Sequence, residues 1–179
     1  MIGAARTGEL DVMAVIRRVT ETKGTLTMKR LLNASFTYML VGVVSGLFYR
    51  EFTKANDFPA GEFTQLGLAH THLLTLGFIV LLIVLGLEKV FTISRSRKLF
   101  AWFFWLYNAG VVLTSGMLIW HGSLTVLGKE SSAMISGIAG LGHMLLTAGM
   151  IVLFVALRRA VTDRVPAPVE LSASARSVG

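Results

Sequence analysis

Three histidines, His70, His72 and His143, are the residues of this chain best placed to do chemistry, because each lies in a stretch otherwise built of apolar side chains. A neutral imidazole offers one lone pair to a metal or a haem iron and one N–H to a second partner. An ionisable side chain in hydrocarbon costs on the order of 3 kcal/mol, so an intramembrane histidine marks a functional site by default. With no cysteine in the chain, thiolate metal sites, iron–sulfur clusters, disulfides and covalently attached haem are excluded. A bound metal or haem must therefore take His, Met or oxygen ligands. No Asp, Glu, Lys or Arg falls in the inner part of any long apolar stretch, so a carboxylate relay has no residues to work with and no catalytic constellation is visible.

Spacing narrows the chemistry further. His70 and His72 sit in Gly67-Leu-Ala-His-Thr-His-Leu-Leu-Thr-Leu-Gly77, and two residues correspond to about 200° around a helix. The two rings face opposite ways, whereas one chelated ion favours a spacing of three or four. The expectation is two different partners, His143 of the same chain for one ring and a neighbouring chain or a small polar network for the other. Gly67 and Gly77 lie on the His70 face, and Ser136, Gly140, His143 and Thr147 form one stripe at helical spacing. Small residues of this kind admit a flat porphyrin and equally admit a second helix. Arg50, near Tyr49 and Lys54, stands where haem propionates would emerge, and it could instead pair with Glu51 or Asp57. His121 beside Trp120 is expected at the membrane interface, as are the aromatics from Phe100 to Tyr107. Met144 and Met150 keep copper open and the histidines keep zinc open, but b-type haem fits the set better. The histidines serve together as the candidate cofactor or metal ligands.

The elements that must position them follow from composition. Hydrophobic residues are 54% of the chain and charged residues 15%, too few charges for the surface of a soluble domain. The fold expected is all-α, an integral membrane four-helix bundle. Apolar stretches at residues 31–49, 64–91, 99–118 and 134–157 each approach the roughly 20 residues that cross a bilayer, and none alternates with period two as a barrel strand would. Measured from the outer ends of these stretches, the histidines lie about 9, 12 and 14 Å deep. Residues 1–27 form an N-terminal extension, disordered or a surface helix, with Met28 as a natural start. Residues 28–160 form the transmembrane domain, and residues 161–179 a disordered tail.

Lys and Arg cluster in the first tail, in the loop from Lys89 to Lys98 and in the last tail, while Arg50, Lys54 and Lys129 lie opposite. The positive-inside rule then puts both termini in the cytoplasm of a bacterial cell, and the net charge of +7 needs no nucleic acid to explain it. The chain also reads as duplicated. Leu73-Leu-Thr-Leu-Gly77 recurs as Leu145-Leu-Thr-Ala-Gly149, and Tyr38 with Gly42 recurs as Tyr107 with Gly110. Two hairpins entering from the same side make a parallel repeat about the membrane normal. Gly42-x-x-x-Gly46 is a helix-packing motif that also suits a subunit interface.

Asn33-Ala-Ser-Phe, the run from Gly46 to Lys54, Leu68-Ala-His-Thr-His-Leu-Leu74, Leu87-Glu-Lys89 and Ser136-Gly-Ile-Ala-Gly-Leu-Gly-His143 resemble the DUF2871 family of small bacterial membrane proteins over roughly residues 28–157. That resemblance implies the four-helix unit and no particular activity. His70-Thr-His72 also resembles the H-x-H of the haem-copper oxidase catalytic subunit, whose twelve helices form three sets of four. The analogy implies a homo-oligomer, a trimer in its simplest form, with haem shared between chains. The expected function is binding of b-type haem for electron transfer or gas sensing, with an unassigned redox partner. The alternatives are a metal-ion or solute transporter with a histidine-lined path, and a structural membrane scaffold.

Overall fold

The computed structural model describes the backbone of residues 2–130 and 132–163, with side chains from Gly24 onward in that range apart from Ala133. It contains four long helices: α1 (Ile2–Ala55), α2 (Leu66–Phe91), α3 (Arg97–Val126) and α4 (Ala133–Thr162). Each is long and apolar enough to cross a membrane, and no strand occurs among the described residues. The chain is thus an all-helical membrane protein. The expected tail beyond residue 163 and the side chains of residues 1–23 lie outside the described residues, while the backbone of α1 runs without a break across residue 27.

Most helix ends lie outside the apolar stretches, because hydropathy reports only the part in hydrocarbon while a helix continues until its backbone is stopped. α1 stops just before Asp57, whose φ of 50° is left-handed, and Phe58 N–H closes onto Thr53 O at 3.0 Å. α3 stops before Gly128 at φ 64°, where Lys129 N–H reaches Leu124 O at 2.9 Å. α2 begins two residues later than its apolar stretch. Thr64 is diverted into a tertiary contact, its hydroxyl donating to Gly122 O at 2.9 Å. The later start leaves His70 and His72 about 6 and 9 Å from the end of α2.

Sequential helices pack antiparallel. Between α1 and α2 the meeting pairs are Tyr38 with Gly77, Gly42 with Leu74, Gly46 with His70 and Tyr49 with Gly67. Between α3 and α4 they are Tyr107 with Gly149, Gly110 with Leu146 and Thr114 with Gly142. α2 meets α3 chiefly at its N-terminal end, where a Cβ on Gly122 would run into the backbone of Leu66. Gly42-x-x-x-Gly46 is thereby used inside the chain, against α2. The buried core runs through Leu73, Leu81, Val84, Phe103, Tyr107, Val111 and Leu146. α4 leans mainly on α3, and only 17% of its apolar window is buried, against 33% for α3. Most of α4 therefore faces lipid or another molecule.

One helix is irregular. In α2 the α-geometry of Leu66–His72 gives way to a π-helical segment, Leu73–Ile79, before α-geometry resumes at Val80. Val80 N–H reaches back five residues to Thr75 O. A π segment loosens the i→i−4 ladder and leaves carbonyls to be satisfied from elsewhere. Two neighbouring helices do so: Tyr107 of α3 donates to Leu76 O at 2.9 Å, and Ser35 of α1 donates to Phe78 O at 3.0 Å. The segment begins at the residue after His72.

Candidate functional site

His70 faces α1. Gly46 makes room for it, since a Cβ there would touch the His70 ring and Cβ at 3.6–3.9 Å. The His70 Nδ1 is buried without a hydrogen-bond partner, and Nε2 lies 3.4 Å from the Thr71 hydroxyl. A buried polar nitrogen without a partner is costly in a low-dielectric interior and calls for an explanation. His72 points the other way around the helix. Its Nδ1 lies 3.1 Å from Leu68 O, one turn earlier.

His143 repeats the His72 arrangement on α4. Its Nδ1 lies 3.0 Å from Ala139 O, and Thr147 donates its hydroxyl to His143 O at 2.9 Å. A carbonyl oxygen only accepts, so in both residues Nδ1 is the donor, and in a neutral ring that leaves the lone pair on Nε2. Neither Nε2 makes a hydrogen bond among the described residues. An imidazole oriented by an Nδ1–H bond to a carbonyl, with Nε2 presented outward, is the state in which histidine ligates metal or haem iron. Ser136, Gly140, His143 and Thr147 are all exposed and lie opposite the buried Ile135, Gly142, Leu146 and Gly149. The stripe seen in the sequence is therefore on the outer face of the chain.

The three histidines are not gathered into one intrachain centre. Among the described residues no group of three or more His, Asp or Glu could hold a metal ion. The N-terminal segment of α2 packs on α1 and α3, and α4 packs along α3, so His72 and His143 stand on helices that each pack against α3. Among the described residues no hydrogen bond joins His72 to His143, and each ring bonds its own helix. The reason is the order of packing: antiparallel neighbours associate one after another, and α4 finds its small-residue contacts on α3 rather than on α2.

The glycines expected to admit a flat group divide. Gly67 meets the Tyr49 ring and Gly77 the Tyr38 ring, where an added Cβ would come within 3.4 and 2.4 Å. Both are contacts between α1 and α2, and the space beside them is filled by tyrosine. Gly140 has nothing within 4 Å and remains open. Arg50 pairs with Glu51 at 3.5 Å, the two side chains 74% and 64% exposed, so its guanidinium is lightly engaged. The His121 ring is half-buried, with Nδ1 buried and unpartnered.

Sequence reasoning passed over three features near the histidines or the turn at the other end. The π segment has no compositional mark. Ser35 and Tyr107 look like ordinary helix residues until their hydroxyls are seen crossing to α2. Glu88, only 3% exposed, accepts from Ser94 N–H at 2.9 Å and from the Ser94 hydroxyl, holding the turn in which Thr92 takes φ 54°. A carboxylate in the last turn of a helix opposes the macrodipole, and that mismatch was the available signal.

With the four-helix unit and its histidines in place, a family profile described as "Protein of unknown function (DUF2871)" matches residues 28–160. The chain belongs to the DUF2871 family. No curated protein and no solved structure matches it. Within this DUF2871 chain the matched region takes in His70, His72 and His143, all three tyrosine–glycine contacts and the π segment.

Proposed function

We propose that this protein holds b-type haem within the membrane through His143 of one copy and a histidine of α2, foremost His72, of another, and that it serves electron transfer. The observation that carries the reading is the shared state of His72 and His143. Each has its Nδ1–H committed to a carbonyl one turn earlier and an Nε2 free to ligate. His143 stands on the exposed face of α4, in hydrocarbon, beside an open Gly140, so a second copy is the natural source of its partner. Two axial histidines fill both iron positions and favour electron transfer over gas binding. Arg50, lightly held by Glu51, would neutralise a propionate.

The repeat belongs to the same proposal. Tyr38 on Gly77 and Gly42 on Leu74 in the first hairpin correspond to Tyr107 on Gly149 and Gly110 on Leu146 in the second, which supports two hairpins related by an axis along the membrane normal. The Lys and Arg distribution supports both termini on the cytoplasmic side of a bacterial inner membrane.

The test is an absorption spectrum of the detergent-purified protein expressed with ample haem, oxidised and dithionite-reduced, beside His70→Ala, His72→Ala and His143→Ala. The expected result is a Soret band that sharpens on reduction and is lost with His143→Ala and with His72→Ala. Co-expression of the two single variants should recover part of the signal, because the copy that keeps His143 and the copy that keeps His72 together supply one complete ligand pair. A colourless wild type under these conditions would sink the haem reading, and metal analysis for copper and zinc would then decide whether the histidines bind any metal.

A further inference from the structure

At the end of the bundle opposite the histidines, a cleft of about 720 Å³ opens between the start of the membrane span of α1 and the turn joining α2 to α3. Arg30 enters it from α1, and Arg95 and Arg97 from the turn and the first residue of α3; Phe100, Phe104 and Trp105 continue the wall along α3. Asp163 is the one acidic side chain that reaches any of these arginines among the described residues, 3.7 Å from Arg95, with both partners more than half exposed. Glu88 is close in sequence, but its two oxygens are taken up by Ser94 and it does not line the cleft. Arg30 and Arg97 make no ion pair among the described residues. The cleft therefore holds an excess of guanidinium charge.

Its polarity runs along the membrane normal. From Arg97 to Trp105 is eight residues, about 12 Å of helix rise, and over that distance the lining passes from guanidinium to aromatic. Phe100 is buried at 7% exposure and forms the floor, while Trp105 is 69% exposed towards lipid. A charged rim over an aromatic wall matches an amphiphile with an anionic head and apolar tails. It does not match a free anion, which would leave the lower wall without a partner. The guanidinium fork binds phosphate oxygens in pairs, and basic recesses between membrane helices are where anionic lipid headgroups lodge.

We infer that this cleft is a binding site for a diacyl lipid with an anionic phosphate headgroup, the phosphate held by Arg30 and Arg97 and a chain lying along Phe104 and Trp105. The inference is independent of the haem reading, since it uses no residue of the histidine layer. It also goes beyond the general attraction of basic loops to anionic lipid. Lys89 and Lys98 flank the same turn, are exposed, and do not line the cleft, so they give a control of equal charge at the same end of the molecule.

The full chain, purified in detergent and stripped of lipid, is offered equal amounts of dioleoyl phosphatidylglycerol and dioleoyl phosphatidylcholine, and bound lipid is read by native mass spectrometry. Wild type is expected to retain phosphatidylglycerol in preference. Arg30→Gln with Arg97→Gln should lower that retention about tenfold, and Lys89→Gln with Lys98→Gln should change it less than about twofold. Arg97→Lys, which keeps the charge and loses the fork, should fall between; its helical circular dichroism confirms that the fold is intact. Equal loss in the two double variants would overturn the inference in favour of diffuse charge, as would equal retention of the two lipids by wild type. In a parallel arm, millimolar inorganic phosphate should fail to displace the lipid. Complete displacement would make this a site for free phosphate and overturn the lipid assignment.

Discussion

The two hairpins of this chain each seat a tyrosine on a glycine and differ in what they carry between them. In α1–α2, Tyr38 lies on Gly77 and Gly46 makes room for His70; in α3–α4, Tyr107 lies on Gly149 and Gly142 makes room for Thr114. The first hairpin then departs from regularity. Its second helix contains the π segment Leu73–Ile79, held by hydroxyls from two other helices, whereas α4 is α-helical from Ala133 to Thr162. The second hairpin is the plainer support, close enough that a Cβ on Gly110 would stand 2.6 Å from Leu146 N. A closely packed regular hairpin beside an irregular one teaches that π geometry is tolerated only where neighbours supply donors, and those donors point at the stretch that follows His72.

The sharpest way to break this comparison is to delete one residue from each second helix. Removing Thr75 from the π segment should return α2 to α-geometry with both flanks in register, so the protein still inserts and stays monodisperse in detergent. Removing Thr147 should rotate the rest of α4 by about 100° away from α3 and abolish folding. Equal outcomes in size-exclusion profiles would dissolve the distinction.

Glycine substitutions follow in size. Gly110→Ala places a methyl group against the backbone of α4 and should destabilise by about 1–3 kcal/mol, while Gly140→Ala, which meets nothing within 4 Å, should leave the unfolding midpoint unchanged. A smaller effect is expected for Tyr107→Phe, which leaves Leu76 O without its donor from α3. About 1 kcal/mol is expected for such a bond between membrane helices, with faster hydrogen exchange confined to the π segment. Glu88→Gln gives up one of two acceptor oxygens used by Ser94 and should cost about 1 kcal/mol, read as earlier proteolysis of the α2–α3 turn. Least of all, Arg50→Gln breaks an exposed pair worth less than about 0.5 kcal/mol. Its thermal midpoint should match wild type, so any change in a haem spectrum would report on the cofactor and not on the fold.

Much of this was legible in the chain itself because a membrane makes apolar length an almost sufficient signal. Backbone groups in hydrocarbon must be bonded within the segment, so four stretches of about twenty apolar residues mean four helices, and short links make neighbours antiparallel. The histidines stand out for the same reason, and so does the paired recurrence of Leu-Leu-Thr and Gly. The roles of individual small residues were not legible. Gly67, Gly77 and Gly140 look alike in sequence, yet the first two are closed by Tyr49 and Tyr38 and the third is open, because a glycine's function is set by what stands opposite.

The sequence by itself determined the helices and their number, since local hydrophobicity is a property of the chain alone. Only the tertiary structure decided which helix covers which, packing both the start of α2 and the length of α4 on α3, turning the His143 stripe outward, and setting the π segment under hydroxyls from α1 and α3. Those outcomes depend on how ridges and gaps on separate helices fit together, and that fit is a property of the pairs.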